Sequence, residues 1–306
     1  MNISYPLKLG PVFKETIWGG ERLKTEFHKQ SSLERIAESW ELTCRPDAMS
    51  MITSGELAGM PLSAVIDNTK RFPLLVKLID ANDKLSIQVH PDDKYASLHA
   101  VGDTGKTEAW YIVDAKPNAR IIYGMCGEFD RESFREAALS GELEDRLNYV
   151  GVKKGDLFFI PSGMVHAIGD GILIAEVQQS SDLTYRVYDY DRRDKNGMRR
   201  ELHLEKALDV IRTYSESEIE SLRFSRGRGG DDLLVNCDYF SIRRIHSDTI
   251  EDASDGFVHL LCLSGEGDVD GVPFQKGDSL FLPTESGRHA IRGSFEMLSI
   301  RGVIDS

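Results

Sequence analysis

The sequence contains few cysteines, and none of them are close together. Cys44, Cys126, Cys237 and Cys262 are the only four in 306 residues, and no pair has the CxxC spacing of a redox or zinc motif. Four cysteines in a chain of this length are also too few for a disulfide scaffold. We therefore expect four reduced and mostly buried thiols, as in a cytoplasmic protein.

Long hydrophobic runs are also missing. The longest apolar stretches, such as Leu74–Ile79 and Leu157–Pro161, have the length of a strand and are far shorter than a membrane-spanning helix. The N-terminal segment MNISYPLKLGPVFKETIWGG has no apolar run of signal-peptide length. We therefore expect a cytoplasmic protein that does not bind or cross a membrane.

Positive charge is scarce, because 37 Lys and Arg are outnumbered by 50 Asp and Glu, which gives a formal net charge of −13. A nucleic-acid-binding surface would need clustered cations, so we expect no nucleic-acid partner. An anionic small ligand remains possible, since a few local cations are enough to bind it. Hydrophobic residues make up 41% of the chain, which is sufficient for a core and excludes a disordered acidic polymer.

Short strand-like segments dominate the chain. They are rich in β-branched and aromatic residues and are bounded by Gly, Pro, Asp or Asn, which favours a β-sandwich or barrel over βαβ units. These segments are Phe72–Ile79, Leu85–His90, Glu108–Val113, Arg120–Tyr123, Asp156–Ile160, Ser241–His246, Val258–Leu263, Ser279–Leu282 and Glu296–Val303.

Helical patterns are few. Residues Asp130–Asn148 indicate one or two short helices with Asp130 as the N-cap, and His203–Arg212 indicates an amphipathic helix. The polar, Gly-rich segment Ser215–Asp232 is the best candidate for a domain boundary.

Two segments resemble each other within the chain. Lys154–Ile168 reads KGDLFFIPSGMVHAI and Lys276–Ile291 reads KGDSLFLPTESGRHAI. We interpret them as equivalent hairpins of two related β-domains. The predicted domains are residues 1–220, with a helical insertion at about 130–148, and residues 233–306. Of these two domains, only the first is expected to bind a metal ion.

The first copy has a Gly-x5-Pro-x-Gly-x2-His pattern, formed by Gly155, Pro161, Gly163 and His166. This pattern resembles the second motif of the cupin superfamily, whose double-stranded β-helix (jelly-roll) barrels often hold a metal in the barrel mouth. The resemblance implies a mainly β fold of two cupin-like barrels with a short helical insertion. The alternative reading of His166 is a buried structural histidine.

Three further residues suit a metal site. Gln88 and His90 are two apart in a strand pattern, so both project from one face, although the apolar alternates leave open which face is buried. Glu108 opens an apolar strand, where burial would require a partner or a metal. With His166 these residues form a mixed N/O donor set of the kind that binds zinc, whereas each alone could equally face solvent.

Arg186 lies between acidic and hydroxyl residues in EVQQSSDLTYRVYDY (Glu176–Tyr190). It could be a surface ion-pair partner or could neutralise charge that develops on a substrate, and composition does not decide between these roles.

Several longer blocks resemble the type I mannose-6-phosphate isomerase family in its shorter bacterial form. The resemblance is strong over residues 6–212 and weaker beyond. The blocks are TIWGG (Thr16–Gly20), ESWEL (Glu38–Leu42), PLLVKLIDANDKLSIQVHPDD (Pro73–Asp93), GKTEAWY (Gly105–Tyr111), PSGMVHAIGDGILIAEVQQSSDLTYRVYDYDR (Pro161–Arg192) and LHLEKAL (Leu202–Leu208).

The resemblance implies a zinc-dependent aldose–ketose isomerase that converts mannose 6-phosphate to fructose 6-phosphate through a cis-enediol, with one Zn²⁺ per chain. It assigns the metal ligands to Gln88, His90, Glu108 and His166, and the active-site arginine to Arg186. It also implies pocket positions at Trp18, Lys77, Ser86, Lys106, Glu176 and Asp182.

Within that mechanism, zinc and Arg186 would stabilise the oxyanion, and either Glu176 or Lys106 would act as the base. Lys77, Ser86 and Lys106 could instead bind the phosphate. Without the resemblance, the strand pattern around Lys77 predicts a solvated lysine. The alternatives are a metal-dependent cupin oxygenase and a non-catalytic cupin that binds sugar phosphates. We expect a monomer or weak homodimer with a hexose 6-phosphate as its small-molecule partner.

Overall fold

The computed structural model describes residues 3–66, 71–100, 102–194, 196–224 and 232–303. The Gly-rich part of the predicted boundary, residues 225–231, lies outside the described residues, and the part before it contains a short helix.

Strands account for most of the regular structure. In chain order the described residues form β1 (Leu7–Gly10), β2 (Val12–Lys14), β3 (Glu38–Leu42), β4 (Cys44–Arg45), β5 (Ala48–Met49), β6 (Met51–Ile52), β7 (Leu74–Ala81), β8 (Ile87–Val89), β9 (Glu108–Ala115), β10 (Arg120–Met125), β11 (Leu147–Gly151), β12 (Leu157–Ile160), β13 (His166–Ala167), β14 (Ile172–Gln179), β15 (Tyr185–Tyr188), β16 (Arg223–Phe224), β17 (Asp232–Asn236), β18 (Phe240–His246), β19 (Thr249–Asp252), β20 (Val258–Val269), β21 (Val272–Gln275), β22 (Ser279–Leu282) and β23 (Arg288–Gly302).

Helices are few and short. They are α1 (Arg22–Thr25), α2 (Asp93–His99), α3 (Arg131–Ser140), α4 (Leu204–Val210) and α5 (Glu216–Ser221), with single 3-10 turns at Leu62–Ala64 and Leu143–Arg146. Among the described residues, no helix combines the length and apolar character that crossing a bilayer would require. The predicted mainly β fold is confirmed, and every strand segment anticipated from the sequence contains a strand.

The helical segment at 130–148 is confirmed for its first part. Asp130 caps α3 as predicted, because its carboxylate accepts from the backbone N–H of Ser133 at 2.8 Å. Gly141 ends the helix in the left-handed conformation, with φ 83°. The last predicted helical residues belong instead to β11.

The chain divides into two compact units. The terminal unit comprises Met1–Glu15, Glu21–Leu78 and Arg226–Ser306, and the middle unit comprises Thr16–Gly20 and Ile79–Ser225. This division differs from residues 1–220 and 233–306, because the N-terminal strand β1 pairs with β22. The predicted domain limits stay a prediction.

Each unit is built from open antiparallel sheets rather than closed barrels, an arrangement consistent with jelly rolls. The terminal unit contains a nine-stranded sheet in the order β17-β18-β23-β20-β22-β1-β6, with β19 paired to β23 and β21 to β20. The middle unit contains a five-stranded sheet, β11-β10-β13-β8-β15, and a second sheet that includes β16-β12-β9-β14.

The internal repeat recurs in three dimensions, but its copies are not hairpins. Gly155 and Gly277 both have φ 91°, and the later glycines, Gly163 and Gly287, have φ 86° and 84°. However, β12 and β13 belong to different sheets, and β20 lies between β22 and β23. The predicted strand–turn–strand is therefore correct and the predicted hairpin pairing is wrong, because each copy forms an arch whose two strands pair with other partners.

The four thiols are free, but the expectation that most are buried is wrong. Cys262 is buried, Cys44 and Cys237 are half-buried, and Cys126 is exposed.

Candidate metal and substrate site

The packing of β8 decides which of its faces is polar. Ile87 and Val89 lie in an apolar cluster with Leu208 and other residues of α3 and α4. Side chains alternate along a strand, so Gln88 faces the other side, toward the interior between the two sheets of the middle unit. The question that the sequence left open is resolved, because the helices cover the apolar side.

Two buried histidines meet on that inner side. His90 Nδ1 lies 2.8 Å from the carbonyl of Leu183, and His166 Nδ1 lies 2.8 Å from the carbonyl of Met164. A carbonyl oxygen only accepts, so each Nδ1 donates and each Nε2 carries a lone pair. The two Nε2 atoms are 3.1 Å apart. Such second contacts are typical of metal-binding histidines, whose ring orientation they determine.

Glu108 completes the cluster. It begins β9, opposite Ile160 of β12 and Gln178 of β14, and it is fully buried. Its Oε1 lies 3.3 Å from His166 Nε2 and its Oε2 lies 3.5 Å from His90 Nε2. Within the described part of the chain, only His90, Glu108 and His166 place three His, Cys, Asp or Glu ligand atoms within 4.8 Å of one another.

These separations fit a divalent ion such as zinc. Two ligand atoms that each lie about 2.0–2.1 Å from a tetrahedral zinc are roughly 3.3 Å apart, close to the 3.1–3.5 Å observed. Burial, reinforced by the charge of Lys106, lowers the pKa of His166 to about 4, so the ring is neutral at pH 7 and its Nε2 is available as a ligand.

Gln88 lies beside this cluster, with its amide Nε2 3.4 Å from His166 Nε2. The nitrogen and oxygen of an amide exchange places on a 180° rotation, so the same position suits an oxygen ligand. The structure therefore brings all four sequence-predicted ligands together.

A lysine and an arginine flank the cluster. Lys106 is buried, and its Nζ lies 3.1 Å from Glu108 Oε2 and 3.3 Å from His90 Nε2. Arg186 lies opposite Gln88 across the β15–β8 ladder, and its Nε donates to Ser86 Oγ at 3.3 Å. Burial lowers the pKa of Arg186, with the charge of Arg200 as the next cause. The ion-pair alternative for Arg186 loses support, since among the described residues its side chain donates to Ser86 Oγ and to the carbonyl of Glu201.

Glu176 is a second buried carboxylate on the inner face. It lies opposite Trp110 in the β14–β9 ladder, and its Oε2 accepts from Trp110 Nε1 at 2.9 Å. The Trp110 ring in turn contacts the His166 ring edge-on, with centroids 5.3 Å apart. Sequence reasoning did not assign a role to Trp110, although it lies two residues after Glu108 and therefore on the same face.

The remaining predicted residues differ in their surroundings. Trp18 is buried in the middle unit, and its carbonyl accepts from the N–H of Asn82. Asp182 is exposed, with its N–H donating to Asp103. Lys77 belongs to the terminal unit and is only 4% exposed. The interpretation of Lys77 as a solvated lysine is therefore wrong.

Glu38 and Trp40 of the terminal unit both contribute to the burial of Lys77. Its Nζ lies 3.6 Å from Glu38 Oε2 and 5.2 Å from the centroid of the Trp40 ring. An ion pair and a cation–π contact compensate for the burial of the charge, and neither partner is visible from the local strand pattern.

The second copy of the repeat uses its histidine differently. His289 is buried, with Nδ1 2.8 Å from Asp270 Oδ2 and Nε2 2.7 Å from Ser286 Oγ. Both ring nitrogens therefore hold the arch between β22 and β23 in place, whereas His166 directs Nε2 at other ligands.

Comparisons with known proteins show the family to which the chain belongs. The family described as "Phosphomannose isomerase type I, catalytic domain" matches residues 7–112. Mannose-6-phosphate isomerase ManA of Bacillus subtilis is 39% identical, covering 96% of this chain and 98% of the relative. Mannose-6-phosphate isomerase of Streptococcus mutans is 36% identical, covering 96% and 97%.

The architecture has a matching solved structure. The crystal structure of the mannose 6-phosphate isomerase from Bacillus subtilis superimposes with a TM-score of 0.84 at 34% identity, covering 96% of this chain and 99% of that one.

Proposed function

Because the chain belongs to the type I phosphomannose isomerase family, we propose that it interconverts mannose 6-phosphate and fructose 6-phosphate with the help of a bound zinc ion. The observation that carries the proposal is the buried convergence of two imidazole Nε2 atoms and one carboxylate within 4.8 Å, flanked by Lys106 and Arg186.

His90, Glu108 and His166 would hold the ion, with the Gln88 amide oxygen as a fourth ligand. When bound, zinc supplies Lewis-acid stabilisation of negative charge on a substrate oxygen. The donor set is nitrogen and oxygen, which suits zinc among the borderline divalent ions.

The chain's own residues divide the remaining work. The isomerisation moves a proton between C1 and C2 through a cis-enediol, so negative charge develops on the substrate oxygens. The Arg186 guanidinium lies next to Gln88 and stabilises that charge. Within the middle unit, Ser86, which accepts from Arg186, and the predicted residues Trp18 and Asp182 would bind the hexose phosphate. The predicted role of Lys77 in substrate binding stays a prediction.

Two buried groups are proposed to carry the proton. The Lys106 side-chain nitrogen lies against Glu108 and His90, and the Glu176 carboxylate is oriented by Trp110. Glu176→Gln and Lys106→Met separate them, since the variant without the base loses both turnover and the exchange of the substrate C–H proton with D₂O. If a variant still exchanges the substrate C–H proton with D₂O, the residue substituted in it is not the base.

The proposal is tested by assaying mannose 6-phosphate turnover together with metal analysis. We expect about one zinc per chain, and we expect His166→Ala to lose metal and activity together. Arg186→Ala should retain the metal and lower kcat at least 10-fold, since it removes transition-state stabilisation.

Three results would count against this scheme. Near-normal kcat in Arg186→Ala would refute its role. Hexose phosphate binding without turnover would support the non-catalytic alternative, and substrate-dependent oxygen consumption would support the oxygenase. The cytoplasmic location and the monomeric or weakly dimeric state stay predictions.

A further inference from the structure

Lys106 lies in a short segment, Thr104–Thr107, that belongs to no strand. Its backbone groups are instead bonded by other parts of the middle unit. The N–H of Gly105 donates to Asp93 Oδ1 at 2.9 Å, the N–H of Thr107 donates to Gln179 Oε1 at 2.9 Å, and the N–H of Lys106 donates to the carbonyl of Pro91 at 3.0 Å. Two side chains and one backbone carbonyl therefore replace the ladder that would hold a strand.

Gln179 joins the two sides of this arrangement. Its Oε1 accepts from Thr107, and its Nε2 donates to Asp93 at 3.1 Å and 3.2 Å. Thr107 N–H can only donate and the Asp93 carboxylate accepts, so the amide has one orientation. Gln179 is 7% exposed, and its own N–H also donates to the carbonyl of Thr107.

The segment is also pressed against the start of α2. A Cβ added to Gly105 would lie 2.5 Å from the backbone nitrogen of Asp93 and 2.6 Å from the carbonyl carbon of Asp92. The two backbones touch, and no residue other than glycine fits this approach. A small displacement of Asp93 is therefore transmitted directly to the segment that carries Lys106.

We propose that Gln179 and Asp93 are positioning residues, which hold Lys106 Nζ against Glu108 Oε2 and His90 Nε2. The inference rests on the proposed function, since it assigns the pair a role in turnover. The hydrogen bonds described above link the two side chains to Gly105, to Thr107 and to each other, so their loss should displace Lys106 while the metal stays bound. Displacing a catalytic group by about 1 Å can lower turnover about 100-fold.

The test exchanges the two polar groups. Gln179→Glu keeps an acceptor for Thr107 but places a second carboxylate next to Asp93, so we expect kcat to fall 10- to 100-fold with KM within about threefold and zinc content unchanged. Adding Asp93→Asn to that variant should restore kcat at least 10-fold. The new amide at 93 can then donate to the carboxylate at 179 while its oxygen still accepts from Gly105.

Two further variants make the test decisive. Gln275→Glu introduces the same charge at an exposed position of the terminal unit and should leave kcat unchanged. If Gln179→Glu does not fold, Gln179→Met removes both hydrogen bonds without adding charge and should lower kcat about 10-fold.

The proposal is overturned if the substituted Gln179 enzyme retains normal kcat, if it loses zinc in proportion to activity, or if Asp93→Asn fails to rescue it. Wild-type turnover is measured in the same assay. A failure of the proposed function therefore shows in the wild type, and a failure of the positioning role shows only in the variants.

Discussion

A buried histidine of the terminal unit should make the protein unstable in mild acid. His259 is fully buried in β20, with Nε2 2.6 Å from Ser279 Oγ, and that hydroxyl donates to the carbonyl of Glu41 at 2.9 Å. The serine proton is thus committed, so His259 Nε2 carries the hydrogen. Among the described residues, Nδ1 has no hydrogen-bond partner, and a proton placed there would be buried without an acceptor.

The size of the effect follows from the pKa. Burial, with a smaller contribution from Lys29, lowers the pKa of His259 from 6.5 to about 3 in the folded state. The neutral ring therefore contributes stability that is fully present above pH 6.5 and is lost as the pH falls toward 3. At pH 4.5 the loss is about 3 kcal/mol, since each pH unit between 6.5 and 4.5 costs about 1.4 kcal/mol.

The perturbation is His259→Gln, which retains an N–H donor for Ser279 but cannot be protonated. The free energy of unfolding is measured at pH 7.5 and at pH 4.5 by urea titration with circular dichroism. It should be lower at pH 4.5 in both proteins, and we expect this decrease to be about 3 kcal/mol smaller in the variant than in the wild type. Both proteins are treated with a chelator, so metal release does not enter the difference.

His28→Asn is the matched control. His28 is exposed and has φ 56°, a conformation that Asn also adopts readily, so this variant should keep the wild-type pH dependence. Equal acid sensitivity of His259→Gln and the wild type would refute the reasoning, because it would show that His259 accepts a proton in the folded protein.

Two further changes test the stability of each unit. Lys29→Met should lower the free energy of unfolding by about 3–5 kcal/mol, because it leaves the fully buried Glu41 without its cation; Glu41 Oε1 lies 2.6 Å from Lys29 Nζ. The double variant with Glu41→Leu should recover most of this loss in the same urea titration. If the double variant recovers none of it, the loss does not come from breaking the charge pair. Asp130→Ala should lower the free energy of unfolding by about 1 kcal/mol, because it removes the N-cap of α3. The neighbouring control Glu128→Ala should change the free energy of unfolding by less than about 0.5 kcal/mol. Equal effects of the two substitutions would show that the cap does not stabilise the protein.

The site was predictable where the signal is local. The spacing of Gly155, Pro161, Gly163 and His166 predicts a strand, a turn and a second strand, and the structure has φ 91° and 86° at the two glycines. The same local logic identified Asp130 as a cap. These features depend on a few adjacent residues, so composition and order are enough.

The site was not predictable where the signal comes from distant segments. Lys77 has the pattern of a solvated strand lysine, yet it is buried next to Glu38 and Trp40, which come from a different part of the chain. Gln179 lies in one of the blocks that resemble the isomerase family, but its role could not be predicted from that block. Its partners Asp93 and Thr107 are more than 70 residues away in the sequence.

The sequence alone determined the donor types, the family and the mainly β architecture, since these follow from residue identity, short-range spacing and motif blocks. Only the tertiary structure decided which face of β8 is polar, because α3 and α4 cover Ile87 and Val89 and so turn Gln88 inward. It also decided that His166 directs its Nε2 at Glu108 while the equivalent His289 is bonded to Ser286. The physical reason is that a lone pair becomes a ligand only where packing removes its other partners and brings further donors within about 3.5 Å.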